Sequence, residues 1–110
     1  MSSKVVVIIS TGESEKALTG LMYARNAMQR GWMNEVKVIF FGPSERLLIE
    51  DESVAEMAKE ISATVTPLAC KFISDRDGVS EKIENLGVKV DYVGEIISEL
   101  LKDGYAAMVF

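Results

Sequence analysis

Residues 4–31 read KVVVIISTGESEKALTGLMYARNAMQRG, and their pattern decides the fold. Lys4 to Ser10 is a β-branched run, apolar on consecutive positions, which is the pattern of a central strand covered on both faces; a strand with one wet face would alternate. From Ser14 to Arg30 the apolar residues Ala17, Leu21, Ala24 and Met28 step by four, three and four. Leu18 and Met22 join them, so one helical face is apolar. Gly31 ends this helix, because glycine adopts the left-handed conformation that closes a helix without a steric cost. A buried strand followed by such a helix is half of a βαβ unit and calls for a second, parallel strand.

That strand is predicted at Val36 to Phe41 (VKVIFF), closed by Gly42-Pro43. A short helical turn follows around Arg46 to Ile49. Ser53 and Glu56 have capping-box spacing, and Val54, Met57, Ala58 and Ile61 form the stripe of a helix ending near Ala63. Thr66 to Phe72 (TPLACKF) is the predicted third strand, with Pro67 admissible at its beginning and Cys70 near its far end. Val79, Ile83 and Leu86 mark a short helix ended by Gly87, and Val88 to Tyr92 a fourth strand. Val93, Ile96, Ile97, Leu100 and Leu101 face inward from a last helix ended by Gly104, and Tyr105 to Phe110 makes the fifth strand. Five strands separated by four helical segments predict one α/β domain over residues 1–110, three-layer α/β/α, with an open, mainly parallel five-stranded sheet. Periodicity carries no information on strand order.

Composition narrows the function. With 48% apolar and 26% charged residues the chain falls in the folding, globular range. Its first apolar run has five consecutive strongly apolar residues, Val5 to Ile9, too few for an export signal or a membrane span, so neither is expected. One cysteine and no histidine exclude an internal disulfide, a CxxC pair, a Cys/His zinc site and a Ser/His or Cys/His catalytic pair. A reducing, cytoplasmic setting and a chemistry without metal are the expectation. A net charge of -5 offers no basic surface to a nucleic-acid backbone, so partners are expected to be proteins or small molecules. The acidic run Glu50-Asp51-Glu52 reads as a solvated helix junction. The six methionines and Trp32 read as core and gap-filling residues, with Trp32-Met33 a candidate subunit contact.

In an open parallel sheet ligands bind beyond the C-terminal ends of the strands. Side chains placed there are Ser10 to Glu13, Gly42 to Ser44, Cys70, Lys71, Ser74 to Asp77, and Tyr92. Cys70 is the one strong nucleophile among them. Lys71, Arg76 and a helix opening near Asp77 or Gly78 would favour its thiolate, while Asp75 and Asp77 oppose it. The opposite reading, a small buried strand residue, fits the spacing equally well. Ser10 to Glu15 (STGESE) is similar to the phosphate-binding turn of flavodoxins and makes Thr11 and Gly12 candidate binding residues. Any tight strand-to-helix turn uses the same residues, Glu13 and Glu15 would repel a phosphate, and no aromatic pair supplies a flavin sandwich. A receiver domain is excluded, since it needs acids at the ends of the first and third strands, where Ser10-Thr11 and Cys70-Lys71 stand.

Taken in order, VVVIIS, EKALTGLMYARNAMQRG, VKVIFFGPSERLL, ATVTPLACKF, GVKVDYVGEIISELLKDG and YAAMVF resemble, nearly end to end, the DsrE/DsrF-like proteins. These are small sulfur-relay proteins that include the TusD-type subunits of tRNA thiolation. The resemblance implies that Cys70 accepts a sulfane sulfur as a persulfide and hands it on, making the chain a sulfurtransferase or sulfur carrier without metal or organic cofactor. It also implies donor and acceptor protein partners, and a homo-oligomer in which Trp32, Met33 and Phe110 would be surface contacts. Any RNA would be handled by a partner. The alternative is a non-catalytic module that binds a phosphate or flavin ligand, or serves oligomeric assembly, through the Ser10–Ser14 turn.

Overall fold

A computed structural model describes residues 3–110; residues 1 and 2 of the expected domain span lie outside the described residues. Its strands are β1 (Lys4–Ile9), β2 (Glu35–Phe40), β3 (Leu68–Cys70), β4 (Lys89–Asp91) and β5 (Ala106–Val109). Its helices are α1 (Ser14–Gln29), α2 (Ser44–Glu50), α3 (Glu52–Ser62), α4 (Lys71–Arg76), α5 (Ser80–Glu84) and α6 (Val93–Lys102). All strand pairs are parallel, in the order β4-β3-β2-β1-β5. The chain therefore steps outward from β1 to β4 and then returns through α6 to place β5 on the far side of β1.

The handedness of parallel crossovers fixes the layers. Steps in one direction keep their helices on one face, and the return step must put its helix on the other. On the first face Ala17, Leu21, Ala24 and Ala27 of α1, Leu47 and Leu48 of α2, Val54, Ala58 and Ile61 of α3 and Ile83 of α5 bury Val5, Val7, Ile9, Val36, Val38 and Phe40. On the second face α6 covers Val6, Ile8, Ile39 and Cys70 with Val93, Ile96, Ile97 and Leu100, and Ile73 of α4, at the strand ends, packs against the same cluster. This is the expected three-layer α/β/α architecture with the expected five strands. The continuous apolar run of β1 follows from its place between β2 and β5 with helices on both faces.

The boundaries around β3 and at the start of α3 depart from the expectation. The third strand is only Leu68–Cys70, and Lys71 and Phe72 already belong to α4. Its neighbour β2 stops at Phe40, opposite Ala69, so little ladder remains beyond Cys70, and the Lys71–Asp75 pair at i, i+4 supports a helix instead. The helix beyond β3 thus opens at Cys70, its N-cap residue, and not near Asp77 or Gly78. Finally, α3 is capped by Asp51, whose Oδ1 accepts from the N–H groups of Ser53 and Val54, so Ser53 is not the cap and Asp51 is more than part of a solvated junction.

Candidate functional site

The strand ends converge on one edge, and Cys70 stands there in register with Asp91 of β4, one residue beyond the Phe40–Ala69 pair of β2 and β3. It is 7% exposed and packs in the second-face cluster with Val6, Ile8, Ile39, Val93 and Tyr105. Around this edge Phe41 is partly exposed, and Phe72 on the first turn of α4 and Tyr92 after β4 are 68% and 58% exposed. A shallow groove of about 440 Å³ continues from there along α6, lined by Asp91, Tyr92, Glu95, Ile96, Glu99 and Leu100. Exposed aromatic side chains thus rim the strand ends at which Cys70 stands.

Lys71 follows Cys70 directly, but its ammonium is engaged by Asp75 at 2.8 Å. That hydrogen bond holds the Lys71 ammonium above its ordinary pKa; the same bond, with the Ser80 hydroxyl, holds Asp75 below the usual carboxylate range. Arg76 closes the last turn of α4, where its Nε donates to Asp77 at 3.2 Å. Both cations expected to act on the thiol are therefore charge-paired within α4 and its end.

Thr11 and Gly12 occupy the edge in the turn between β1 and α1. The N–H groups of Ser10 and Thr11 both donate to the Phe110 carbonyl, and the Glu13 N–H donates to the Thr11 hydroxyl oxygen. Gly12 is small because a Cβ there would stand 3.1 Å from the Cβ of Pro43. The place where an open α/β sheet receives a ligand, between strands whose connections diverge, is here between β1 and β5, and Phe110 fills it. Phe110 is half-buried, with its ring against Gly20 of α1, and so is not the open surface contact expected of it.

The pattern of residues did not single out the most unusual group at this edge. Ser44, Glu45 and Ser74 are completely buried polar residues, and they interlock. The Ser44 hydroxyl donates to the Ile9 carbonyl at the end of β1. Glu45 accepts from the Gly42 N–H at 3.1 Å through one oxygen and from the Ser74 hydroxyl at 2.5 Å through the other. Burial drives the Glu45 carboxyl above its ordinary pKa, partly offset by the Ser74 and Gly42 hydrogen bonds. Asp77 raises it further and Arg76 lowers it. A signal existed in the sequence: a glutamate three residues after the glycine of a Gly-Pro turn can reach back to the open N–H of a helix start.

Among the described residues no three His, Cys, Asp or Glu side chains converge as a metal-holding group, and no helix is long and apolar enough to cross a membrane. No protein-family model and no curated protein matches the chain. Among solved structures, it is similar to a conserved protein of unknown function from Bacteroides thetaiotaomicron, with a TM-score of 0.84 and 29% identity over 97% of this chain and 95% of that one. It is also similar to a protein of unknown function from Methanobacterium thermoautotrophicum, with a TM-score of 0.75 and 21% identity over 99% of this chain and 100% of that one. Both likenesses support the fold and name no activity.

Proposed function

We propose that the protein is an intracellular sulfur carrier of the DsrE/DsrF-like kind, in which Cys70 accepts a sulfane sulfur and passes it to a second protein. The observation that supports this most is the placement of the chain's one cysteine at the edge where the parallel strands end, at the end of β3, an edge that also carries the exposed Phe72 and Tyr92. The step needs nothing the chain lacks. The Cys70 thiolate attacks the outer sulfur of a donor persulfide, a new S–S bond forms, the donor's own S–S bond breaks, and the donor leaves as a thiolate. The acceptor's thiolate then attacks the outer sulfur on Cys70, which leaves in turn, so no external oxidant or reductant enters. Lys71 lies next in sequence, and Cys70 is the N-cap residue of α4, at that helix's positive end.

The sulfur is delivered and removed by proteins in this reading, and the aromatic rim is where they dock. The carrier is also a homo-oligomer. Its second face is covered mainly by α6, of which only Val93 is fully buried, and Leu101 of α6 and Val109 of β5 stand exposed on that side of the sheet. RNA and membranes are not partners of an acidic chain of this kind.

Incubation with a low-molecular-weight persulfide followed by intact-mass measurement tests the chemistry. Wild type is expected to gain one sulfur atom, reversible by a thiol reductant, and Cys70→Ser to gain none. A wild type that stays unmodified while alkylating reagents reach Cys70 would overturn the reading.

A further inference from the structure

Cys70 is nearly enclosed, and a transferring sulfur has to be reached by a partner's sulfur. The short helix α4 begins at Cys70, and its Ile73 packs against the cluster that holds the thiol. Of its six residues only Ser74 is fully buried, and Ser74 is held by Glu45. Glu45 in turn grips the Gly42 N–H, so one carboxylate joins the end of β2, the start of α2 and the middle of α4. We propose that Glu45 is a positioning residue for Cys70: through Ser74 it latches α4 against the β2–α2 turn, and the thiol becomes reachable when this latch opens.

The geometry favours a latch over an ordinary core contact. An apolar pair at these positions would hold α4 without placing a carboxylate where no water reaches it, and a buried charge is retained at a cost in stability. Partners with two alternatives, docked in the protein or hydrated outside it, make a contact that can open locally without unfolding the sheet. The charged groups bearing on Glu45 are Asp77 and Arg76 at the end of α4, which pair with each other and act in opposite senses. Its neighbour α5 turns Ile83 inward and leaves Glu81, Lys82 and Glu84 exposed, and α3 likewise leaves Glu52, Glu56, Lys59 and Glu60 exposed. Opening returns Glu45 to water and to its ordinary pKa, so raising the pH through the docked value favours the open form.

This inference takes Cys70 as the reacting atom, as proposed above, yet its test does not depend on sulfur transfer. The rate of Cys70 modification by methyl methanethiosulfonate is measured for wild type, Ser74→Ala and Glu45→Gln in a series of urea concentrations below global unfolding. The expectation for Ser74→Ala is modification about tenfold faster than wild type without urea, since a hydrogen bond to a charged group is lost. Below the unfolding transition both rates should be almost independent of urea, the sign of a local opening. Glu45→Gln can keep both hydrogen bonds, with the serine hydroxyl turned to accept, but it cannot ionise. The ratio of wild-type to Glu45→Gln rates should therefore rise as the pH is raised above the ordinary Glu45 value of 4.5. Equal rates for wild type and Ser74→Ala, rates that follow global unfolding from the lowest urea upward, or a ratio flat with pH would each overturn the latch. A thiol that opens in this way but takes no sulfur would overturn only the relay.

Discussion

The ring of Phe110 lies against the bare α-carbon of Gly20: a Cβ at that position would stand 2.7 Å from the ring and 2.6 Å from Cδ1 of Ile9. Gly20 is in the middle of α1, where glycine costs ~1 kcal/mol relative to alanine. The close approach seats Phe110, whose carbonyl closes the Ser10–Thr11 turn. Gly20→Ala is therefore expected to destabilise despite its better helix propensity. Overpacking of a tight core costs ~1–3 kcal/mol, which against a propensity gain of ~1 kcal/mol leaves a net loss of up to about 2 kcal/mol, read as a lower urea midpoint with an unchanged slope. A variant more stable than wild type by the propensity gain would mean that Phe110 moves aside at no cost.

Asp51 ties the start of α3, and its charge is favoured in the folded state. The Ser14 hydroxyl, followed by the N–H groups of Val54 and Ser53, holds its carboxyl below the usual range. A depressed folded-state pKa gives stability that is present above the unfolded value of 3.8 and lost as the pH falls through the folded value. Asp51→Ala is expected to lower the melting temperature at pH 7 and to narrow its gap from wild type below about pH 3. Melting curves across that range check it; a gap that stays constant in acid would refute the ionic part of the cap.

The long elements were legible because their burial is periodic. In α1 Ala17, Leu21 and Ala24 of the predicted stripe are buried, joined by Gly20 and Ala27, while Met28 is half-buried and Met22 exposed; β1 showed both-sided burial in its unbroken Val and Ile. TPLACKF concealed its own boundary, since a strand ends where its neighbour's ladder ends, and that neighbour was set by the β2–β3 register. Strand order was silent for the same reason. The candidate site was half legible: a lone cysteine near a strand end stands out by type, whereas Glu45, one acid among seventeen Asp and Glu, is distinguished only by its burial. That burial comes from elements brought together by the fold, β1, β2 and α4.

Assembly offers a separate check. Trp32 is 55% exposed and stays a candidate contact, Phe110 is seated on Gly20, and Leu101 and Val109 add exposed apolar side chains on the second face. Exposed apolar side chains on a face covered by one helix gain from burial at an interface, and a lysine there would keep its charge out of it. Sedimentation velocity is expected to show an oligomer for wild type and a monomer for Leu101→Lys combined with Val109→Lys. A wild type that sediments as a monomer at tens of micromolar would remove the homo-oligomer from the proposed function.

Glu45 makes the last prediction, on global stability. Burial raises its folded-state pKa, so the folded protein binds the Glu45 proton more tightly than the unfolded chain does. The stability associated with that proton is fully present below the unfolded value of 4.5 and is lost as the pH rises through the folded value. Glu45→Gln has no proton to lose and can satisfy both Gly42 and Ser74. Its stability relative to wild type is therefore expected to increase as the pH rises above 4.5 through the folded value. Urea unfolding at several pH values provides the comparison. A difference that shrinks as the pH rises would show that the two donors stabilise the charge beyond what burial costs it. Glu45 would then be a net structural contact and no longer a carboxylate retained at the expense of stability.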